Sequence, residues 1–101
     1  MRLTKFEIDT IKEVASEIWG NQTVVYLFGS RTDDTKKGGD IDLYVQPPRE
    51  MASEKLIIQK AAFLAKLDFL LGEQKIDLLI KTRHNRNLPI IKTAKTTGVP
   101  L

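Results

Sequence analysis

Six residues, Asp40-Ile41-Asp42-Leu43-Tyr44-Val45, constrain this chain more than any other segment. Side chains alternate across a strand, so a strand here sends Asp40 and Asp42 to one face and Ile41, Leu43 and Val45 to the other. Lys75-Ile76-Asp77-Leu78-Leu79-Ile80 repeats the arrangement, with Ile76, Leu78 and Ile80 together and Asp77 turned the opposite way. If the two strands share a sheet covered by helices on its apolar side, three carboxylates meet on the open face.

The remaining segments supply those helices. Thr4 and Glu7 have the spacing of a capping box, and apolar residues recur at helical intervals from Phe6 to Trp19, which predicts a helix over Lys5–Trp19. Thr23 to Phe28 reads as a strand ending at Gly29-Ser30, and Asp40 to Gln46 as a second strand closed by Pro47-Pro48. Being close in sequence, the two are expected to pair antiparallel. A long helix is expected from Ser53 to Leu71, with Gly72 as a left-handed cap. Its polar stripe of Lys55, Gln59 and Lys66 is narrow, so burial on more than one side is expected. Lys75–Ile80 is the third strand, Lys81–Asn87 a basic loop, and Leu88–Thr97 a final helix with Pro89 in its first turn and Gly98 as its stop. The order α-β-β-α-β-α predicts an α/β (α+β) fold: a small mixed sheet of three or more strands with helices on one face. A chain of 101 residues leaves room for a single domain over 1–101.

Composition narrows the chemistry. Cysteine is absent, which removes disulfides, thiolate metal sites and thiol nucleophiles together. Nowhere do about 18 apolar residues stand in sequence, and the N-terminal residues lack the pattern of a signal peptide, so no membrane is expected and the expected location is cytoplasmic. Asn21-Gln22-Thr23 matches a glycosylation acceptor, a match without meaning in a protein that is not exported. A net charge of +3 falls short of a duplex-binding surface and suits a polyphosphate substrate.

Clustered carboxylates must share protons or be neutralised by cations, and oxygen-only ligands select hard ions such as magnesium. Three aspartates cannot fill two octahedral shells. Waters and substrate phosphates complete them, which points to two Mg2+ ions at a phosphate-transfer site, with Asp40, Asp42 and Asp77 as ligands. Gly29 and Ser30, directly after the first strand, offer close backbone approach, amide donors and a hydroxyl to a triphosphate, while Arg31, Lys36 or Lys37 can neutralise its charge. Taken singly, each aspartate is an ordinary solvent-facing strand residue, and Lys36 and Lys37 are ordinary loop lysines. His84, the sole histidine, reads as surface in a basic loop, and Tyr26, Phe28, Phe63 and Trp19 read as packing residues.

Gly29-Ser30, nine further residues, then Asp40-Ile41-Asp42-Leu43, and a third acid on a later strand: in this order the sequence resembles the DNA polymerase beta-like nucleotidyltransferases, particularly their minimal branch. The resemblance extends over essentially the whole chain. It implies that Asp40 and Asp42 hold both metals, that Asp77 is the third ligand and helps activate the acceptor hydroxyl, and that Gly29 and Ser30 contact the triphosphate of ATP or another nucleoside triphosphate. Many members of the family have serine where this chain has Gly39, a difference that concerns loop geometry.

Minimal nucleotidyltransferases often act as antitoxins beside a helical HEPN-type protein encoded nearby, some of them by adding AMP to a tyrosine of that partner. The resemblance therefore implies an antitoxin, in a hetero-oligomer or as a homodimer. The apolar breadth of the long helix agrees with an interaction surface, and so does an uncovered sheet face carrying Tyr44 and Leu79. A binding-only antitoxin, and transfer onto a small molecule or RNA, are the alternatives.

Overall fold

The computed structural model describes residues 3–28, 41–72, 74–82, 88–89, 91–92 and 98–101. Helix α1 spans Lys5–Trp19, strand β1 Val24–Phe28, β2 Ile41–Gln46, helix α2 Ser53–Leu71, β3 Ile76–Ile80 and β4 Val99–Pro100. Both long helices have the bounds expected from the sequence. The α1 capping box is formed: the Glu7 amide donates to Thr4 Oγ1 at 3.1 Å, and the Thr4 amide donates to Glu7 Oε1 at 2.9 Å. Gly20 ends the helix at φ 111°, its amide donating to the Ser16 carbonyl at 2.9 Å. Gly72 ends α2 at φ 81°, but with ψ −179° rather than the left-handed helical value expected of a cap.

The four strands form one mixed sheet in the order β3-β2-β1-β4. β1 pairs antiparallel with β2, as their closeness in sequence implies, and β2 runs parallel to β3 through the α2 crossover. β4 was not anticipated. It adds Val99 and Pro100 antiparallel to Leu27 and Tyr26, and the Leu101 amide continues the ladder by donating to the Val25 carbonyl at 2.9 Å. Pro89, Ile91 and Lys92 are helical, within the expected final helix; the rest of that helix lies largely outside the described residues.

Alternation along the strands produces two different faces. Ile41, Leu43 and Val45 of β2, with Val25, Leu27, Leu78 and Ile80, pack against Ile11, Val14, Ala15 and Trp19 of α1 and Phe63 and Leu67 of α2. Burial of each valine, leucine, isoleucine or phenylalanine among them is worth about 1.5–3 kcal/mol against exposure. The Trp19 and Phe63 rings lie 5.1 Å apart at 48°, and the Trp19 indole N–H donates to Gln59 at 3.1 Å, so the two helices are joined by a tilted aromatic contact and by a satisfied polar group.

The opposite face carries a second, smaller cluster: Tyr44 and Ile91, with Tyr26, Phe28 and Leu79 against them. This corrects the expectation of an uncovered face around Tyr44. Tyr44 is 1% exposed, packed with Ile91 of the C-terminal segment and with Tyr26, Phe28 and Leu79. The expectation for α2 also changes, since the helix buries Phe63 and Leu67 on one side while Ile57, Ile58 and Phe69 remain 70%, 70% and 85% exposed. Among the described residues, α2 buries one side, that of Phe63 and Leu67. No helix among the described residues is long and apolar enough to cross a membrane.

Candidate active site

The parallel register of β2 and β3 determines the site. Ile41 pairs with Ile76, Asp42 with Asp77, Leu43 with Leu78, Tyr44 with Leu79 and Val45 with Ile80. Paired residues of adjacent parallel strands point to the same face, about 4.8 Å apart. Asp42 and Asp77 are therefore immediate neighbours on the face opposite the helices, as the alternation in the two segments predicts. Asp42 is half-buried and Asp77 exposed. The ladder continues past both acids: the Ile41 amide donates to the Lys75 carbonyl at 3.0 Å, and the Lys81 amide to the Val45 carbonyl at 2.9 Å. The two carboxylates thus sit on a fixed register rather than at a frayed strand end.

On the other side of Asp42 stands Phe28, its Cα partner across the β1–β2 ladder. The row Asp77, Asp42, Phe28 crosses three strands, and the next row back is Leu79, Tyr44 and Tyr26. Tyr26 and Tyr44 are stacked, with centroids 5.8 Å apart and planes at 28°. Burial pushes the Tyr44 phenol above its usual range, a proton-holding effect opposed by the Gln46 side chain, which donates to its hydroxyl at 3.4 Å, and reinforced by Tyr26. An apolar, aromatic wall therefore backs the acid row. Phe28, expected from the sequence as a packing residue, also stands beside Asp42; its position directly before Gly29, at the end of a strand antiparallel to the acid strand, is the signal for that place.

Two adjacent carboxylates offer oxygen donors of one sign and one hardness, a donor set that fits a divalent hard cation. They do not complete a site. Among the described residues no group of three acidic or histidine side chains is placed to hold a metal ion. Asp40, two residues before Asp42, lies outside the described residues, as do Gly29, Ser30, Arg31, Lys36, Lys37 and His84. A cleft of about 560 Å3 near Trp19, Pro48, Met51 and Lys55, and another of about 390 Å3 near Arg49, Ser53 and Lys81, are lined by neither Asp42 nor Asp77.

The sequence model of the nucleotidyltransferase domain family matches residues 8–96, from the first turns of α1 past Ile91. The chain belongs to that family. Its membership supports the polymerase beta-like superfamily and nucleotidyl transfer as the general activity, a family that generally uses nucleoside triphosphates and divalent metals. No curated protein matches the chain. In this nucleotidyltransferase domain the match includes β1, β2 and β3, the three strands that carry the acid row and its flanking Phe28.

Proposed function

We propose that this domain transfers AMP from ATP to a tyrosine hydroxyl of a helical, HEPN-type partner protein and thereby acts as an antitoxin. The observation that carries the transferase reading is the in-register pairing of Asp42 with Asp77 on one face of the sheet, within a chain of the nucleotidyltransferase family. The resemblance of Gly29-Ser30 and Asp40-Ile41-Asp42-Leu43 to the minimal branch supports the finer assignment of acceptor and partner.

In this reading Asp40, Asp42 and Asp77 hold two magnesium ions, and Gly29 and Ser30 cradle the triphosphate with charge support from Arg31, Lys36 or Lys37. Magnesium bound there neutralises the carboxylates and phosphates and makes the acceptor hydroxyl more acidic. Asp77, the more exposed of the Asp42–Asp77 pair, would in this reading receive the hydroxyl proton. The acceptor oxygen forms a bond to the α-phosphorus, the bond from that phosphorus to the bridging oxygen breaks, and pyrophosphate leaves with the electron pair. Phe28 and the tyrosines behind it restrict water on the inner side of Asp42, which strengthens its interactions with cations.

The test is intact-mass spectrometry of the protein encoded by the neighbouring gene after incubation with this domain, magnesium and each ribonucleoside triphosphate in turn. Increments of nucleoside monophosphate that appear with ATP and vanish with Asp42→Ala are expected. A stable complex with no increment would leave a binding-only antitoxin, and increments on RNA or a small molecule instead would replace the acceptor.

A further inference from the structure

The exposed apolar residues of α2 are ordered, not scattered. At about 100° per residue, Ile58, Ala62, Ala65 and Phe69 fall within a strip about 60° wide, turned away from Phe63 and Leu67. All four are exposed, Ile58 at 70% and Phe69 at 85%. Ala61 and Ile57, also exposed, border the strip on one side. No charged residue falls inside it. Lys55 and Lys66 stand along one margin and Glu54 and Asp68 along the other, and Lys66 is already paired with Glu17 of α1. An uncharged strip with charged margins is the layout of an interface centre and rim.

The strip has a second property: its sizes read the same in both directions. Large Ile58, small Ala62, small Ala65 and large Phe69 are symmetric about the midpoint between positions 63 and 64. A two-fold contact requires a surface complementary to itself, so that each contact is made twice. We propose that α2 packs antiparallel against α2 of a second copy of this chain, with the two-fold axis at that midpoint. Ile58 then lies beside the partner's Phe69, and Ala62 beside the partner's Ala65. The central alanines let the helix axes approach toward the short end of the usual 8–10 Å range, while the larger residues close over one another at either end.

The available area agrees with a weak dimer. With about 150–250 Å2 for a large aromatic side chain and less for the others, the strip and its border offer on the order of 500 Å2 per copy. The pair would bury about 1,000 Å2, near the lower limit for a specific contact. The dimer is expected to be reversible and to dissociate on dilution. It leaves the acid row free, because that row lies on the opposite face of the sheet from α2. The proposal does not rest on the transferase reading.

The chain has no cysteine, so introduced ones report without background. Ala62→Cys and Ala65→Cys proteins, mixed under mild oxidation, are expected to form the 62–65 disulfide between copies, identified by peptide mass. Lys12→Cys, on an exposed position of α1, is expected not to link. Sedimentation velocity over a dilution series should show a reversible dimer that Phe69→Glu converts to monomer with an unchanged circular dichroism spectrum. A monomer at every concentration, with 62–65 linkage no faster than that of Lys12→Cys, overturns the proposal. A dimer indifferent to Phe69→Glu, or preferential 62–62 linkage, overturns this surface or this orientation. A chain monomeric by itself whose Phe69→Glu variant loses a helical partner assigns the strip to that partner instead.

Discussion

Asp42 of β2 and Asp77 of β3 are Cα partners across a parallel ladder, so two carboxylates stand side by side on one sheet face. Like charges so placed favour a cation between them, and any ligand that binds the folded state alone raises its stability. Magnesium is therefore expected to raise the melting temperature of the wild-type domain and to do so much less for Asp77→Asn. Without metal, Asp77→Asn should change stability little, since Asp77 is exposed on the strand surface. Nucleotidyl transfer by the variant should fall at least about 100-fold, or about 2.7 kcal/mol of transition-state stabilisation. A variant that melts lower without metal and keeps its magnesium response would sink this account of the acid pair.

Phe63 is fully buried and packs its ring at a tilt against Trp19 where α2 meets α1. Phe63→Ala removes the ring and leaves a cavity that two packed helices cannot easily close, so a loss of about 3–5 kcal/mol is expected. In a domain whose total stability is about 5–15 kcal/mol, that approaches the unfolding threshold. Urea unfolding followed by the fluorescence of Trp19, the single tryptophan, measures it directly. A loss below about 1 kcal/mol would mean that this helix contact is not part of the cooperative core.

Thr4 caps α1 through its own hydroxyl and positions Glu7 to return a hydrogen bond. Thr4→Ala removes the oxygen that accepts from the Glu7 amide while leaving its own backbone amide to Glu7 Oε1, and should cost about 1 kcal/mol, read as a lower urea midpoint at unchanged slope. Thr4→Ser, which keeps the acceptor oxygen, should restore most of the loss.

Those helix ends were legible because their signals are local: a capping box at Thr4 and Glu7, and glycines at Gly20 and Gly72. The faces of β2 were legible for the same reason, since alternation belongs to the strand itself. What joins distant segments was not. The Asp42–Asp77 register depends on how α2 returns the chain, and β4 is two residues, one a proline, that become a strand only because β1 has a free edge. Tyr44 could be placed on the acid face by counting, but what covers it is Ile91, 47 positions later. Apolar breadth predicted that α2 is covered on more than one side, whereas among the described residues it buries one. Hydropathy records an appetite for burial without saying which molecule meets it.

Tyr44 gives the pH dependence a definite sign. Burial holds its phenol protonated above the ordinary range, with the Gln46 hydrogen bond acting against that and Tyr26 adding to it. The unfolded chain releases this proton near pH 10, whereas the folded chain releases it later. Between those two values the folded state binds more protons than the unfolded state, so stability falls as pH rises. Below about pH 10 the residue leaves stability flat; above it, unfolding becomes easier until the folded phenol also ionises. Tyr44→Phe removes the ionisation and should shallow the alkaline decline measured by urea unfolding at successive pH values. In absorbance titration near 295 nm the same variant should lose a late-ionising component. If Tyr44→Phe leaves the alkaline slope unchanged, the decline belongs to other groups, and the cover over Tyr44 admits more water than the packing of Ile91 implies.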